Sequence, residues 1–179
     1  MAGFEDDSAN WVIDSVNSSA PCWEIGIPTS GPGEAHSGMN VAATSLAGNY
    51  ADNCADVLRY NKSIFLPPYG DPTISFYAWV DIVGSGYAPF DYVEVLIKRD
   101  DEIWETVTGI YLSADTPSPL QALDNTKTKI TKQLGTAYYI FTGDISALKG
   151  RSIEIGFRFI SDASDNSAGF YLDDITIYN

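Results

Sequence analysis

Apolar residues in this chain recur at every second position, and that period fixes most of what it can fold into. Over residues 73–83, Ile74, Phe76, Ala78, Val80 and Ile82 share one face, and Ser75, Tyr77, Trp79, Asp81 and Val83 share the other. Over 91–98, Val93, Val95 and Ile97 alternate with Tyr92, Glu94, Leu96 and Lys98. Over 152–160, Ile153, Ile155, Phe157 and Phe159 alternate with Ser152, Glu154, Gly156 and Arg158. Residues 10–14, 58–66, 103–108, 137–142 and 171–178 are rich in strand formers as well. Turn chemistry separates these runs: Gly31-Pro32-Gly33, the stretch from Pro67 through Gly70 to Pro72, Gly84-Ser85-Gly86 and Lys149-Gly150. Many short strands joined by long polar crossings predict an all-β fold, an antiparallel β-sandwich of the jelly-roll kind.

The 179 residues suffice for one domain with a sizeable core, and no linker divides them, so a single domain over 1–179 is expected. Ten basic residues against twenty-four acidic ones leave a net charge of −14. That balance opposes a phosphate-backbone partner, so nucleic acid is excluded, while it favours cations held by oxygen. No run approaches the roughly eighteen apolar residues of a membrane-spanning helix, so no membrane insertion is expected. The opening Met-Ala-Gly-Phe-Glu-Asp-Asp is neither basic nor apolar and does not read as a signal peptide. Phe4 already reads as the edge of a fold, and we expect a piece of a longer secreted protein.

The inventory limits catalysis. His36 is the one histidine, so multi-histidine metal sites are impossible and any histidine-based triad would need His36. The paired carboxylates Asp6/Asp7, Asp100/Asp101 and Asp173/Asp174 superficially suit glycoside hydrolysis, but adjacent strand residues point to opposite faces. No catalytic residue is therefore assigned, and the chain is read as a non-enzyme. Cys22 and Cys54 can form one disulfide in an oxidising compartment, or remain two buried thiols. The segment 161–167, Ser-Asp-Ala-Ser-Asp-Asn-Ser, is dense in oxygen, yet it lacks the spacing of a calcium loop and reads as a polar connection. Lys127, Lys129 and Lys132 gather in 116–135, as a contact loop or a solvated insertion.

Two features point to binding. If Ile175 and Ile177 face the core, alternation puts Asp173 on the same inward face. A bare carboxylate there costs several kcal/mol unless paired or coordinated. Arg158, a backbone amide, or a bulge that turns the residue outward are its other outlets. Tyr77 and Trp79 stand at i and i+2, with Tyr92 as a candidate neighbour. Such a row either forms an exposed platform for sugar rings or packs as a second layer beneath a loop.

The order of motifs resembles the MAM-like jelly rolls, the meprin-type domains and their bacterial cousins in the C-terminal modules of immune inhibitor A-like secreted metalloproteases. Phe4-Glu5 and Trp11 match the opening, Trp23-Glu24-Ile25-Gly26 with Pro28 and Ala35-His36-Ser37-Gly38 the second block. Leu46 through Tyr50, Ile64 through Pro67, Phe76 through Trp79, and Trp104 continue it, and Asp144-Ile145-Ser146 leads into Ile155 through Phe159. Gly169-Phe170-Tyr171-Leu172-Asp173-Asp174-Ile175 closes it. Gly3 stands where animal members carry a cysteine, Ala35-His36-Ser37 replaces their Asp-His-Thr, and Cys22 would need Cys54 as a non-standard partner. These departures favour the bacterial branch. The resemblance implies a non-catalytic extracellular accessory module beside a secreted protease or adhesin. Its partners would be neighbouring domains and a surface protein or glycan; the alternative is a carbohydrate-binding module using Tyr77, Trp79 and Tyr92. It also implies a structural calcium shared by Glu5 and Asp173. Calcium takes about six to eight oxygens, so further ligands are expected from Asp7, Asn40, Asp52 or backbone carbonyls.

Overall fold

The computed structural model describes residues 3–15, 21–83, 90–99, 112–115, 128–131 and 135–179. The first half of the chain supplies mostly short strands: β1 (Trp11–Asp14), β2 (Glu24–Gly26), β3 (Val41–Ala43), β4 (Val57–Tyr60) and β5 (Ile64–Phe65). Longer ones follow in β6 (Thr73–Asp81) and β7 (Tyr92–Arg99), then β8 (Leu112–Asp115), β9 (Lys129–Ile130), β10 (Tyr139–Asp144), β11 (Ser152–Ile160) and β12 (Gly169–Tyr178). They pair antiparallel into two sheets. One has the order β1-β4-β11-β7-β9, with β5 also on β11, and the other β2-β3-β12-β6-β10-β8. From β5 onward, successive described strands fall in opposite sheets, the crossing pattern of a jelly roll.

Alternation explains what lies between the sheets. Ile74, Phe76, Ala78 and Val80 of β6 meet Val93, Val95 and Ile97 of β7 and Ile153, Ile155, Phe157 and Phe159 of β11 in one buried cluster. Phe76 stacks on Phe141 within its own sheet and receives the edge of Phe157 from the other, at 5.4 and 5.2 Å between ring centroids. Such aromatic pairs each add about 0.5–1.5 kcal/mol beyond the burial of their area. Trp11 closes one end of the core, tilted against Phe4, Tyr60 and Phe157.

A second, smaller cluster lies on the outside of the β12–β6 sheet. Trp79, Tyr171, Val41 and Ala43 are covered there by Ala35, Leu46, Tyr138 and Ala168. The long β2–β3 connection runs across this face. Gly31, at φ +60°, presses directly on the Tyr171 ring, where a Cβ would lie 2.5 Å from a ring carbon. Cys22 and Cys54 are joined in a disulfide with Cα atoms 6.0 Å apart, tying the entry to β2 to the segment before β4.

The expected run 58–66 divides at a turn into β4 and β5, and the expected 137–142 strand is shifted to Tyr139–Asp144. The expected strand 103–108 with Trp104, the Gly84–Gly86 turn and most of 116–135 lie outside the described residues.

Candidate functional site

The site is built on a fault in β12. Asp173 pairs with Tyr77 of β6, but Thr176 pairs with Ser75, so one residue of β12 is extra and the ladder shifts. Asp174 absorbs the shift in a left-handed conformation, φ +48°. Leu172 and Ile175 both reach the main core. Asp173 therefore does not share the inward face of Ile175, as strict alternation required. It sits on the outer face beside Tyr77, yet its exposure is only 1% because residues 36–40 of the β2–β3 connection lie over it.

Four of those five residues, His36, Ser37, Met39 and Asn40, contact three carboxylates. The backbone N–H of Ser37 donates to Asp173 Oδ2 at 3.0 Å, and the Asp174 N–H donates to Asp173 Oδ1 at 2.8 Å. Ser37 Oγ donates to Asp174 Oδ1, and His36 Nδ1 lies 2.7 Å from Asp174 Oδ2. On the other side, the N–H groups of Met39 and Asn40 both donate to Glu5 Oε1, at 2.8 and 2.6 Å, and Asn40 Nδ2 donates to Glu5 Oε2. The segment ahead of β1 thus becomes a strap. Phe4 is buried in the core behind it, and Gly3 passes so close that a Cβ would lie 2.8 Å from Asp173 Oδ1. At Gly38, φ +65°, a Cβ would lie 2.6 Å from the Glu5 carboxylate. Strap, loop and bulge form one latch.

Its electrostatics are uneven. Burial pushes the Asp173 carboxyl above the ordinary range, the Ser37 and Asp174 N–H groups oppose that, and the Asp174 charge adds to it. The exposed Glu5 carboxyl is held low by the backbone N–H groups of Asn40 and Met39. Each Asp173 oxygen accepts one of these hydrogen bonds and retains lone-pair capacity. The donor set is hard oxygen, which suits calcium. Among the described residues, no three His, Cys, Asp or Glu side chains gather closely enough to hold a metal by themselves. A cation here would draw on Glu5, Asp173, backbone carbonyls and water.

The other expected ligands are dispersed. Asn40 belongs to the latch, but turns two nitrogens toward Glu5. Asp7 accepts from Tyr60 Oη at 3.0 Å and from Asn10, at the short helical turn before β1. Asp52 accepts from Asn166 at 3.0 Å, in a separate group of loops. Arg158, the alternative partner for Asp173, lies in the other sheet and pairs there with Glu94 on the neighbouring strand β7. The 161–167 segment is a polar connection: Asp162 N–H donates to buried Asp91, Asn166 binds Asn49, and Ser167 donates to Asp81.

The three aromatic residues do not make one platform. Tyr92 is in the other sheet, with Lys129 Nζ 4.0 Å above its ring. Trp79 is 7% exposed and packs edge-on against Tyr171. Tyr77 carries the His36 imidazole flat on its face, centroids 3.6 Å apart and planes 14° from parallel. The packed layer beneath a loop is the arrangement found. Sequence reasoning missed the partners that seat this loop, Asp174, Ser37 and Tyr138; the last donates to the Glu34 carbonyl at 2.9 Å.

No protein-family model matches the chain. Over 175 residues, 97% of its length, it is 31% identical to a segment of Bacillopeptidase F from Bacillus subtilis (strain 168). The chain spans about a tenth of the length of that curated relative, 10%. Among solved structures it is similar to the K2 cleaved adhesin domain of Lys-gingipain, with TM-score 0.58 and 17% identity over 98% of this chain and 93% of that one. The K3 cleaved adhesin domain of Lys-gingipain from Porphyromonas gingivalis W83 gives 0.59 and 15% over 98% and 94%. At such identities the likeness is one of fold. The chain is a β-sandwich similar, nearly end to end, to one segment of a much larger protease.

Proposed function

We propose that this chain is a non-catalytic extracellular accessory module of a larger secreted protein, a protease or an adhesin, and that calcium bound by Glu5 and Asp173 fixes its strap to β12. On the order of its motifs, we place it with the bacterial MAM-like modules. The observation that carries the accessory reading is the whole-chain similarity to a segment amounting to 10% of Bacillopeptidase F. The geometry of His36 supports it. Nδ1 faces Asp174 and one ring face is covered by Tyr77, so the chain's one histidine is engaged in holding a loop.

The calcium reading rests on Asp173. It is a carboxylate with 1% exposure, beside a second carboxylate, with backbone N–H groups as its hydrogen-bond donors. A cation offsets the cost of keeping it charged there. When bound, calcium supplies charge compensation and a cross-link; the chain's own residues supply the shape. A glycan-binding role for Tyr77, Trp79 and Tyr92 has no support in their placement.

Incubation with chromogenic peptide, ester and glycoside substrates tests the accessory reading. No turnover is expected; turnover that disappears in His36→Ala would overturn it.

A further inference from the structure

We propose that Tyr50 and Asp91 form a proton-operated clamp: taking up one proton reverses their hydrogen bond and ties the β11–β12 connection down. The inference stands apart from the latch and from any cation there. Both side chains are buried, at 2% and 1% exposure, where four stretches of chain meet. The Tyr50 hydroxyl accepts the Val83 N–H at 3.1 Å, just beyond β6, and donates to Asp91 Oδ2, just ahead of β7. The Asp165 carbonyl, in the β11–β12 connection, lies 3.5 Å from the same oxygen. Asp91 Oδ1 accepts the Asp162 N–H of that connection at 2.8 Å. Backbone hydrogen bonds from Tyr50 to Ser167 and from Asn53 to Asp162 join the same two loops.

A hydroxyl accepts two hydrogen bonds and donates one, whereas a charged carboxylate only accepts. While Asp91 is charged, the single Tyr50 proton is committed to it, and the Asp165 carbonyl has only a stretched contact. A protonated Asp91 instead donates from Oδ2 to Tyr50 Oη and keeps Oδ1 as the acceptor for Asp162. The tyrosine proton is then released to turn to Asp165, so the hydroxyl holds three partners and Val83 is undisturbed. The surroundings favour this state. Asp52, Asp81 and Asp162 are the charged groups acting on the pair, with Asp165 beyond them, and Phe159 meets the Tyr50 ring edge-on. Residues 50–56, 81–83, 90–92 and 159–168 contain no lysine, arginine or histidine. Burial raises the Asp91 carboxyl, and the Asp162 and Asp52 charges add to it, so the clamp closes on acidification and opens as pH rises.

Amide hydrogen exchange, read by NMR as protection factors in excess chelator at pH 7 and pH 4, tests the clamp in wild type, Asp91→Asn and Tyr50→Phe. Asparagine reproduces the protonated acid, because its Nδ2 donates to Tyr50 Oη while Oδ1 accepts from Asp162. In wild type the protection of Asn53, Val83 and Asp162 is expected to rise roughly 3–10-fold on acidification, the effect of one added hydrogen bond. Asp91→Asn should show the raised level at both pH values, and Tyr50→Phe a low level at both. A flat wild-type profile overturns the proposal, and so does Asp91→Asn at the low level. A rise that persists in Asp91→Asn belongs to another aspartate, and one that persists in Tyr50→Phe is charge relief without reversal; either result overturns it. Should Asp91→Asn not fold, the contrast between wild type and Tyr50→Phe decides in the same way.

Discussion

Asp173 and Tyr77 face each other across the β12–β6 ladder, and residues 36 and 37 of the β2–β3 connection are anchored on the pair. The tyrosine ring seats the imidazole of His36, and the carboxylate accepts the N–H of the next residue. One cross-strand position thus orders a loop that arrives from another part of the sheet. That relationship also explains why an acidic residue can sit at 1% exposure on a sheet face: it is roofed by chain, not buried in the apolar core.

Besides Gly38, the β2–β3 connection depends on glycine where it crosses Tyr171. Gly31 and Gly33 both have positive φ, +60° and +73°, but only Gly31 has a neighbour in the way, the Tyr171 ring. Gly33→Ala is expected to cost about 1–2 kcal/mol, the strain of a left-handed residue. Gly31→Ala adds a clash with a fully buried ring and should cost about 3 kcal/mol or more. Urea unfolding of the two variants measures the difference; equal losses would mean the loop does not press on Tyr171.

The disulfide closes a loop with a sequence separation of 32. In the chain-entropy treatment its removal costs roughly 3–4 kcal/mol. The double variant Cys22→Ala, Cys54→Ala, compared with wild type in urea without reductant, should show a loss of that size.

Trp79 and Tyr92 should separate cleanly. Trp79→Ala empties a packed position against Tyr171 and is expected to cost about 3–5 kcal/mol. Tyr92→Ala removes a half-buried ring under a lysine and should cost about 1 kcal/mol or less. Adding soluble polysaccharide should leave tryptophan emission unchanged; a shift would restore the glycan reading.

A pH effect is expected at the opposite group of loops. Asp91, 1% exposed, accepts from Tyr50 Oη and from the Asp162 N–H, and burial raises its carboxyl above the ordinary value of 3.8. A carboxyl raised on folding binds its proton more tightly in the folded state. Its contribution to stability is fully present below 3.8 and is lost as pH rises through the raised value. Subtracting Asp91→Asn melting curves from wild type between pH 3 and pH 7 should show wild type gaining, relative to the variant, as the solution is acidified. A relative loss on acidification would contradict the burial of this group.

The sandwich was legible because β6, β7 and β11 are long enough for alternation to declare itself, and their inward residues form the core. Strands β2, β3 and β9 were not, since two or three residues carry no period. The bulge was the costly omission. Alternation counts one residue per step, and an extra residue at Asp174 reverses every face assignment before it. Glu5, Asn40 and Asp173 are brought to one place, whereas Asp7 and Asp52 are not, because acidic residues in a chain of net charge −14 are too common to rank by composition. The role of His36 could not be read from spacing: its partners Tyr77, Tyr138 and Asp174 are distant in sequence and brought together by the pairing of β12 and β10 with β6.

The decisive measurement is thermal unfolding of wild type in millimolar calcium and again in excess chelator, with Asp173→Asn run alongside. A cation that binds only the folded chain at a hundredfold excess over its Kd adds about 2.7 kcal/mol, which in a domain of this size raises Tm by about 5–10 °C. That rise in wild type and its absence in Asp173→Asn are the expected result. Superimposable wild-type curves with and without calcium would contradict a cation at the latch.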